Sequence, residues 1–341
     1  MAAAPSENAE VPQKLAEMGE RFTPVALARA GLNPLADARS LFLLKNLFQR
    51  ERPDVVPSYT IKPVIYGSLA ASWVGVPSIY AFIKGLRTAF HTSGIKGRML
   101  RFIAVRLYRL ALNRCTKLFV LNKDIAELFI SEQIAHSDKV VIVPDSGIDT
   151  DYFTFGSLPE GPPVFLYLGR WLRDKGLTEF VAAARPVKAK RPEARFMLVG
   201  DINPNPASFS EAVVESWQRE GLVERYRFQS DVRPYLHSCT IYVLPSYHEG
   251  LPRSVLEAMA VGRPVITTDT IGCRETIINA VHCNKSGMGI KRGRNGFLVP
   301  VRSVEPLAVV MESWPEIARW RSPWGGKAET SRRVFSICLM S

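Results

Sequence analysis

Cysteine is scarce and scattered: five in 341 residues (Cys115, Cys239, Cys273, Cys283, Cys338), with no C-x-x-C pair. An odd count at wide spacing argues against a disulfide framework or a zinc site and fits a reducing cytoplasm. No strand-like run leads into G-x-G-x-x-G, which disfavours a dinucleotide-dependent dehydrogenase. Met1 to Glu20 has no basic cap followed by an apolar stretch, so no secretory signal is expected. One run, Pro63 to Ile83, carries no charge and is about long enough to span a bilayer. Gly67, Gly75 and Pro77 interrupt it. It reads instead as a helix Tyr66–Val74, a Gly-Val-Pro turn and a buried strand Ser78–Phe82.

Acidic residues are missing from Val55 to Lys123, a stretch with eleven Lys and Arg in a chain of net charge +12. Within it, Gly97–Arg114 has helical spacing. Arg98, Arg101 and Arg109 fall in one broad arc, while Leu100, Ile103, Leu107 and Leu110 are available to another. Such a helix suits an anionic lipid surface and equally a solvated face beside a packed core helix; the spacing leaves both open. Nucleic acid is disfavoured, because the cations alternate with aliphatics rather than with stacking aromatics.

A hydrophobic share of 47% over this length provides for two domains of roughly 150 residues each. Apolar runs of strand length recur between helical patterns at Arg21–Ala26, Asp54–Ser58, Ser78–Phe82, Lys117–Leu121 and Lys139–Pro144. After the polar, turn-rich Pro144–Phe155 the alternation restarts with Pro163–Leu168, Arg195–Val199, Tyr226–Gln229, Ile241–Pro245 and Pro264–Thr268. Alternation of this kind predicts an α/β protein of two Rossmann-like, doubly wound parallel-sheet domains, each sheet covered on both faces, with substrate in an interdomain cleft. The domains are expected at residues 1–148 and 149–311. Because Met1 to Glu20 is polar and helical in character, the first domain is expected to lack its opening strand. Residues 312–341 abandon helical periodicity and crowd Trp314, Trp320 and Trp324 together, as a truncated or frame-shifted tail would.

Two segments carry chemistry. Leu168-Gly169-Arg170-Trp171-Leu172-Arg173-Asp174-Lys175-Gly176 joins a strand to a helix expected at Thr178–Lys188, and delivers a glycine and two cations where a diphosphate can be approached closely and neutralised. Taken alone it is a solvated basic loop as readily as a site. The second runs from Leu244 to Ala260 (LPSYHEGLPRSVLEAMA) and leads from a strand through Gly250-Leu251-Pro252 into a helix. The amides of Gly250 and Leu251 suit an anionic or hydroxyl-rich ligand at the positive helix end. Glu249 precedes the helix, and Glu257 sits about one and a half turns inside it with its side chain tilted back toward the N-terminus. Both carboxylates can face one ligand.

Glu249-x7-Glu257 with E-G-L-P, E-A-M-A-x-G-x-P-V-I and the upstream G-R-x-x-x-x-K-G resembles the retaining glycosyltransferases of family 4, which have the GT-B fold. Gly31–Leu35, Arg52–Val56, Tyr59–Pro63 and Tyr66–Ala71 resemble the bacterial members that extend undecaprenyl-diphosphate-linked oligosaccharides for capsule, O-antigen or protein glycans. Pro144–Asp149 resembles the family's interdomain segment, and the likeness runs from about Val11 to Val310. It implies that Arg170 and Lys175 hold the donor diphosphate beside Gly169, that Glu249 with the Gly250 and Leu251 amides holds the sugar, that Glu257 accepts from ribose hydroxyls, and that Val232 lies near the base. On the acceptor or membrane side it places Lys62, Lys84, Gly85, Arg98 and Arg101. Near Lys84-Gly85-Leu86-Arg87 relatives tend to carry Thr-Gly-Leu-Gly. The implied partners are a nucleotide sugar, a polyprenyl-diphosphate acceptor and an anionic membrane surface. No cofactor and no metal are implied.

Asp149-Thr150-Asp151 has the form of a manganese-binding D-x-D but falls where Asp favours turns. His91 and His248 are acid–base candidates by residue type only, and His248 stands where this subgroup is expected to carry Arg. Within the same fold, a sugar-nucleotide epimerase or hydrolase is the rival reading; a non-catalytic membrane-associated remnant is the rival of another class.

Overall fold

Strand order separates the chain into two main sheets of different design and a two-stranded ribbon. The computed structural model describes residues 1–5, 10–26, 33–84, 94–143, 147–203, 205, 207–283 and 287–318. It divides into two units, Met1–Val143 and Pro144–Ser341, so the first unit ends at Val143 rather than at residue 148.

In the N-terminal unit, β1 (Ala2–Ala4) pairs in parallel with β2 (Phe22–Pro24) as a two-stranded ribbon, with α1 (Glu10–Glu17) between them. The first twenty residues thus contain the expected helix together with a short strand, which an alanine triplet gives no pattern to announce. α2 (Pro34–Glu51) starts where the Asn33 side chain accepts the Ala36 N–H at 3.2 Å and Pro34 takes the first turn. It stops at Arg52 in the left-handed region, ahead of Pro53. The main sheet runs β3 (Val55–Tyr59), β4 (Ser78–Ile83), β5 (Lys117–Val120), β6 (Val140–Ile142), all parallel. The uncharged run from Pro63 is a π-helical turn (Pro63–Gly67) continuing into α3 (Ser68–Trp73), a turn, then β4, close to the sequence reading. No described helix is long and apolar enough to cross a membrane.

Monotonic strand order with crossovers of one hand sends the connecting helices to one face. α3 and α4 (Gly94–Leu112) pack together with α2 alongside, and Tyr108 of α4 meets Phe129 of α5 (Lys123–Ser131) edge-on at 5.7 Å. The other face carries Tyr59, Phe82 and Phe119 stacked in series, each pair 4.6 Å apart. Val55 is 50% and Tyr59 48% exposed there. The expectation of a sheet covered on both faces therefore does not hold for the described residues of this unit: one helical layer leaves the aromatic row half open.

The C-terminal unit does meet that expectation. Its sheet has the order β12 (Val281–His282), β13 (Lys291–Arg292), β14 (Gly296–Val299), β11 (Val265–Thr268), β10 (Ile241–Leu244), β7 (Val164–Leu168), β8 (Arg195–Val199), β9 (Glu224–Tyr226). β12 to β14 pair antiparallel and the remainder parallel. β7, β10, β11 and β14 are buried along their whole length, as strands covered on both faces must be. α6 (Leu177–Lys190) packs against α10 (Val304–Glu312) on one side; α7 (Glu211–Arg219), α8 (Arg233–Ser238) and α9 (Arg253–Ala260) complete the unit before the short α11 (Trp314–Ala318). β9 lies earlier than the Tyr226–Gln229 expected, and β14 with its hairpin was not anticipated. Of the atypical tail, Trp314 lies in α11 while Trp320 and Trp324 fall outside the described residues.

Candidate functional site

From β7 the chain winds outward to β8 and β9, then returns to the other side of β7 as β10 and winds outward again to β11 and β14. The reversal between β7 and β10 is a topological switch point, where the loops beyond the two strand ends diverge and leave room for a ligand. Both motifs read from the sequence sit at that point. Gly169 to Gly176 follows β7, and Pro245 to Pro252 follows β10.

The two loops are sewn together. Lys175 Nζ donates to Glu249 Oε1 at 2.5 Å, with side chains only 18% and 16% exposed. The Tyr247 N–H donates to the Asp174 carbonyl at 2.9 Å and the Ser246 hydroxyl to the same carbonyl at 3.3 Å. Gly176, at φ 72°, turns the chain so tightly that a Cβ there would lie 1.9 Å from the Pro245 carbonyl oxygen. On the far side, the Glu249 N–H donates to the Ile271 carbonyl at 3.2 Å, and a Cβ on Gly272 (φ 76°) would lie 2.4 Å from the carbonyl oxygens of both Glu249 and Gly250. A third loop, after β8, joins through the Trp171 N–H on the Asp201 carbonyl and the Arg173 N–H on the Ala207 carbonyl, both 3.0 Å.

Beneath the loops lie two fully buried tyrosines that the sequence did not single out. Tyr167 donates to the Arg170 carbonyl at 3.1 Å; Tyr242 donates to the Leu168 carbonyl at 3.1 Å and shares a 2.7 Å hydrogen bond with the Ser254 hydroxyl on α9. Burial, first, raises both phenols well above their ordinary value, so both stay neutral. Their signal in the sequence was only an aromatic in an apolar strand, which reads as core.

Arg170 is exposed at the lip of the first loop, and the Gly169 N–H is used on Val199 at 3.0 Å. α9 begins at Arg253 with Pro252 as its cap, so its leading amides have no acceptor within the helix. Glu257 lies one turn in, its side chain 13% exposed and 3.2 Å from Arg253 Nε. Burial raises its carboxyl above the ordinary 4.5, opposed by Arg253. Folded protein then holds this proton more tightly than unfolded chain, so stability falls as pH rises from about the ordinary carboxylate value through the raised one. Glu257→Gln is expected to flatten that part of the profile, followed by urea unfolding in steps from about pH 4 to 8. Val232 is the half-buried residue capping α8 and packs against the core of this unit.

Asp149 Oδ1 accepts the N–H groups of Asp151 (2.9 Å) and Tyr152 (3.0 Å), so the D-x-D carboxylate is engaged in its own turn. The His248 carbonyl accepts from Ser246 at 3.2 Å, inside the second loop. In the N-terminal unit Lys62 is not on an open cationic face: its Nζ is 2.8 Å from the buried Asp37, and their side chains are 13% and 9% exposed. Arg101 ion-pairs with Glu132, Arg98 is exposed, and Lys84 follows β4 at the surface. Gly85 and His91 lie outside the described residues.

The profile of the family described as "Glycosyl transferases group 1" matches residues 162–314, and that of "Glycosyl transferase 4-like domain" matches residues 2–145. The N,N'-diacetylbacillosaminyl-diphospho-undecaprenol alpha-1,3-N-acetylgalactosaminyltransferase of Campylobacter jejuni is 32% identical over 285 residues, 80% of this chain and 73% of its own. The UDP-Gal:alpha-D-GlcNAc-diphosphoundecaprenol alpha-1,3-galactosyltransferase of Escherichia coli is 26% identical over 298 residues, 83% of this chain and 71% of its own. Among solved structures, Anabaena HepE in complex with UDP-glucose superposes with a TM-score of 0.71 at 16% identity, covering 98% of this chain and 86% of that one. The switch-point loops after β7 and β10, the two matching profiles and a relative at 32% identity make this chain a member of the family 4 glycosyltransferases, with their GT-B fold.

Proposed function

We propose that this chain transfers a hexose or N-acetylhexosamine from a UDP-linked donor to a lipid-diphosphate-linked sugar, with retention of configuration, in the assembly of a capsule, O-antigen or protein glycan. The observation that carries the reading is the pairing of Lys175 with Glu249 at the switch point, beside the leading amides of α9. Lys175 and the exposed Arg170 neutralise the departing nucleotide diphosphate; Glu249 takes hydrogen bonds from the sugar, and Glu257 from the ribose. The acceptor hydroxyl forms the new bond to the anomeric carbon on the face from which the diphosphate leaves, and its proton passes to the departing phosphate oxygen. Charge stabilisation by preorganised side chains and amides supplies the rate. The acceptor class follows the printed acceptors of the Campylobacter and Escherichia relatives.

The test is a screen of UDP-hexoses and UDP-N-acetylhexosamines with a polyprenyl-diphosphate-linked sugar, with mass read by mass spectrometry and configuration by nuclear magnetic resonance. A product one sugar heavier, with the anomeric configuration of the donor, is expected. Free sugar or an epimerised donor in the absence of acceptor would instead identify a hydrolase or epimerase.

The same reading places the protein peripherally on the inner face of the plasma membrane. α4 supports this: Met99, Phe102 and Leu110 are each about 60% exposed on it, and Arg98, Arg101, Phe102, Val105, Arg106 and Arg109 line a groove of about 380 Å³. Arg101 and Arg109 are partly engaged with Glu132 and Gln133, which leaves Arg98 and Arg106 beside the exposed apolar side chains as the principal lipid contacts. Sedimentation with phosphatidylglycerol vesicles is expected to be salt-sensitive and to weaken by about tenfold in Phe102→Asp/Arg106→Glu. Equal binding to neutral vesicles, or none to anionic ones, would remove the membrane assignment.

A further inference from the structure

Tyr247 is held at three points, more than the turn it occupies requires. Its N–H donates to the Asp174 carbonyl at 2.9 Å, its hydroxyl donates to Glu179 Oε1 at 2.8 Å, and the Arg302 guanidinium lies 4.7 Å over its ring. Glu179 belongs to the first turn of α6, four residues after Lys175; Tyr247 stands two residues before Glu249. Two cross-links therefore join the same two segments, Lys175 to Glu249 and Glu179 to Tyr247.

The second cross-link is costly to build. Glu179 is only 6% exposed and its Oε2 has no hydrogen-bond partner, so a carboxylate oxygen is desolvated without compensation. Arg302 reaches the ring from a backbone at φ 56°, a left-handed conformation that a non-glycine residue adopts under strain. A neutral acceptor would suffice to fill the space. A charged acceptor makes a shorter, stiffer hydrogen bond, which fixes the tyrosine ring and with it the direction in which the next two residues leave. Burial first, then Glu179, pushes the Tyr247 phenol up to about 12, so the hydroxyl remains a donor throughout the neutral range.

We infer that Glu179 and Tyr247 are positioning residues that set the reach of Glu249 toward the donor's sugar, and so govern recognition of the sugar rather than of the nucleotide. The inference rests on the donor site proposed above. Lys175 holds the Glu249 carboxylate and the Ile271 carbonyl its N–H; the tyrosine anchor holds the segment that leads into Glu249 two residues earlier.

The experiment compares UDP with UDP-glucose, UDP-galactose and their N-acetylated counterparts by calorimetry, on the full chain, for wild type, Tyr247→Phe, Glu179→Gln and Glu179→Ala. Phe keeps the ring beneath Arg302 and removes one oxygen; Gln keeps the acceptor and removes the charge. In Tyr247→Phe the affinity for the preferred nucleotide sugar is expected to drop about tenfold, the scale of one charge-assisted hydrogen bond, while UDP affinity stays within about twofold. Glu179→Ala should match it, Glu179→Gln should fall between, and Tyr247→Phe/Glu179→Ala should add little to either single change. An equal loss for UDP and for the nucleotide sugar, or no loss for either, overturns the inference. If wild-type protein binds UDP but gains nothing from any sugar, the donor-site reading itself has failed.

Discussion

Lys175→Ala is expected to lower sugar transfer by about 10²–10³-fold, the usual effect of deleting one preorganised group that stabilises developing charge, and Glu249→Gln to lower it comparably by a different route. Without ligand the two side chains satisfy each other at 2.5 Å in a part-buried setting. A diphosphate has to draw Lys175 away from Glu249 or share it. Removing the lysine therefore weakens UDP binding as well as transfer. Replacing the carboxylate by an amide releases the lysine, so Glu249→Gln should bind UDP at least as tightly as wild type while transferring poorly. Calorimetry with UDP beside initial rates with the nucleotide sugar separates the two. Near wild-type transfer in either variant would dissolve the site; equal loss of UDP affinity in both would show that the pair is architectural rather than a shared ligand set.

Much of this site was legible in the sequence because its residues lie close together along the chain on two strand-to-helix loops. Gly169, Arg170 and Lys175 share one loop; Glu249, Gly250 and Leu251 share the other, with Glu257 one turn into the helix that follows, and a doubly wound sheet brings such loops together at its switch point. What the spacing could not supply was the pairing across it. Nothing local relates Lys175 to Glu249, or Glu179 to Tyr247, since each contact spans about seventy positions. Glu179 reads from sequence as an acid favoured in a helix's first turn, and its burial is decided by the neighbouring loop.

The first unit was less readable for a different reason. Apart from β1, its strands lie nearly where the alternation puts them, yet strand length and alternation say nothing about which helices share a face, and the aromatic row Tyr59–Phe82–Phe119 is revealed only by register. Charge misled at Lys62. A stretch without carboxylates offers Lys62 no partner of its own, but Asp37, outside that stretch and on the preceding α2, closes on the lysine. A desert of acids in sequence is not one in space.

Gly176→Ala is expected to destabilise the C-terminal unit by about 3 kcal/mol and to cost most of the transfer activity with it. The left-handed backbone costs an alanine about 1 kcal/mol. The added carbon would also fall 1.9 Å from the Pro245 carbonyl oxygen and 2.5 Å from its carbon, positions that only a backbone shift can clear. Because Pro245 is the first residue after β10, the shift separates the two loops that Lys175 and Glu249 bridge, and overpacking of this kind adds roughly 1–3 kcal/mol. For a unit of this size the melting temperature should drop by roughly 6–12 °C. Gly161, at φ 101°, has nothing within 4 Å of an added Cβ and is the control: Gly161→Ala carries the conformational cost alone. If Gly176→Ala melts no lower than Gly161→Ala and keeps its turnover, the close approach of the two loops is not what holds the donor site in shape.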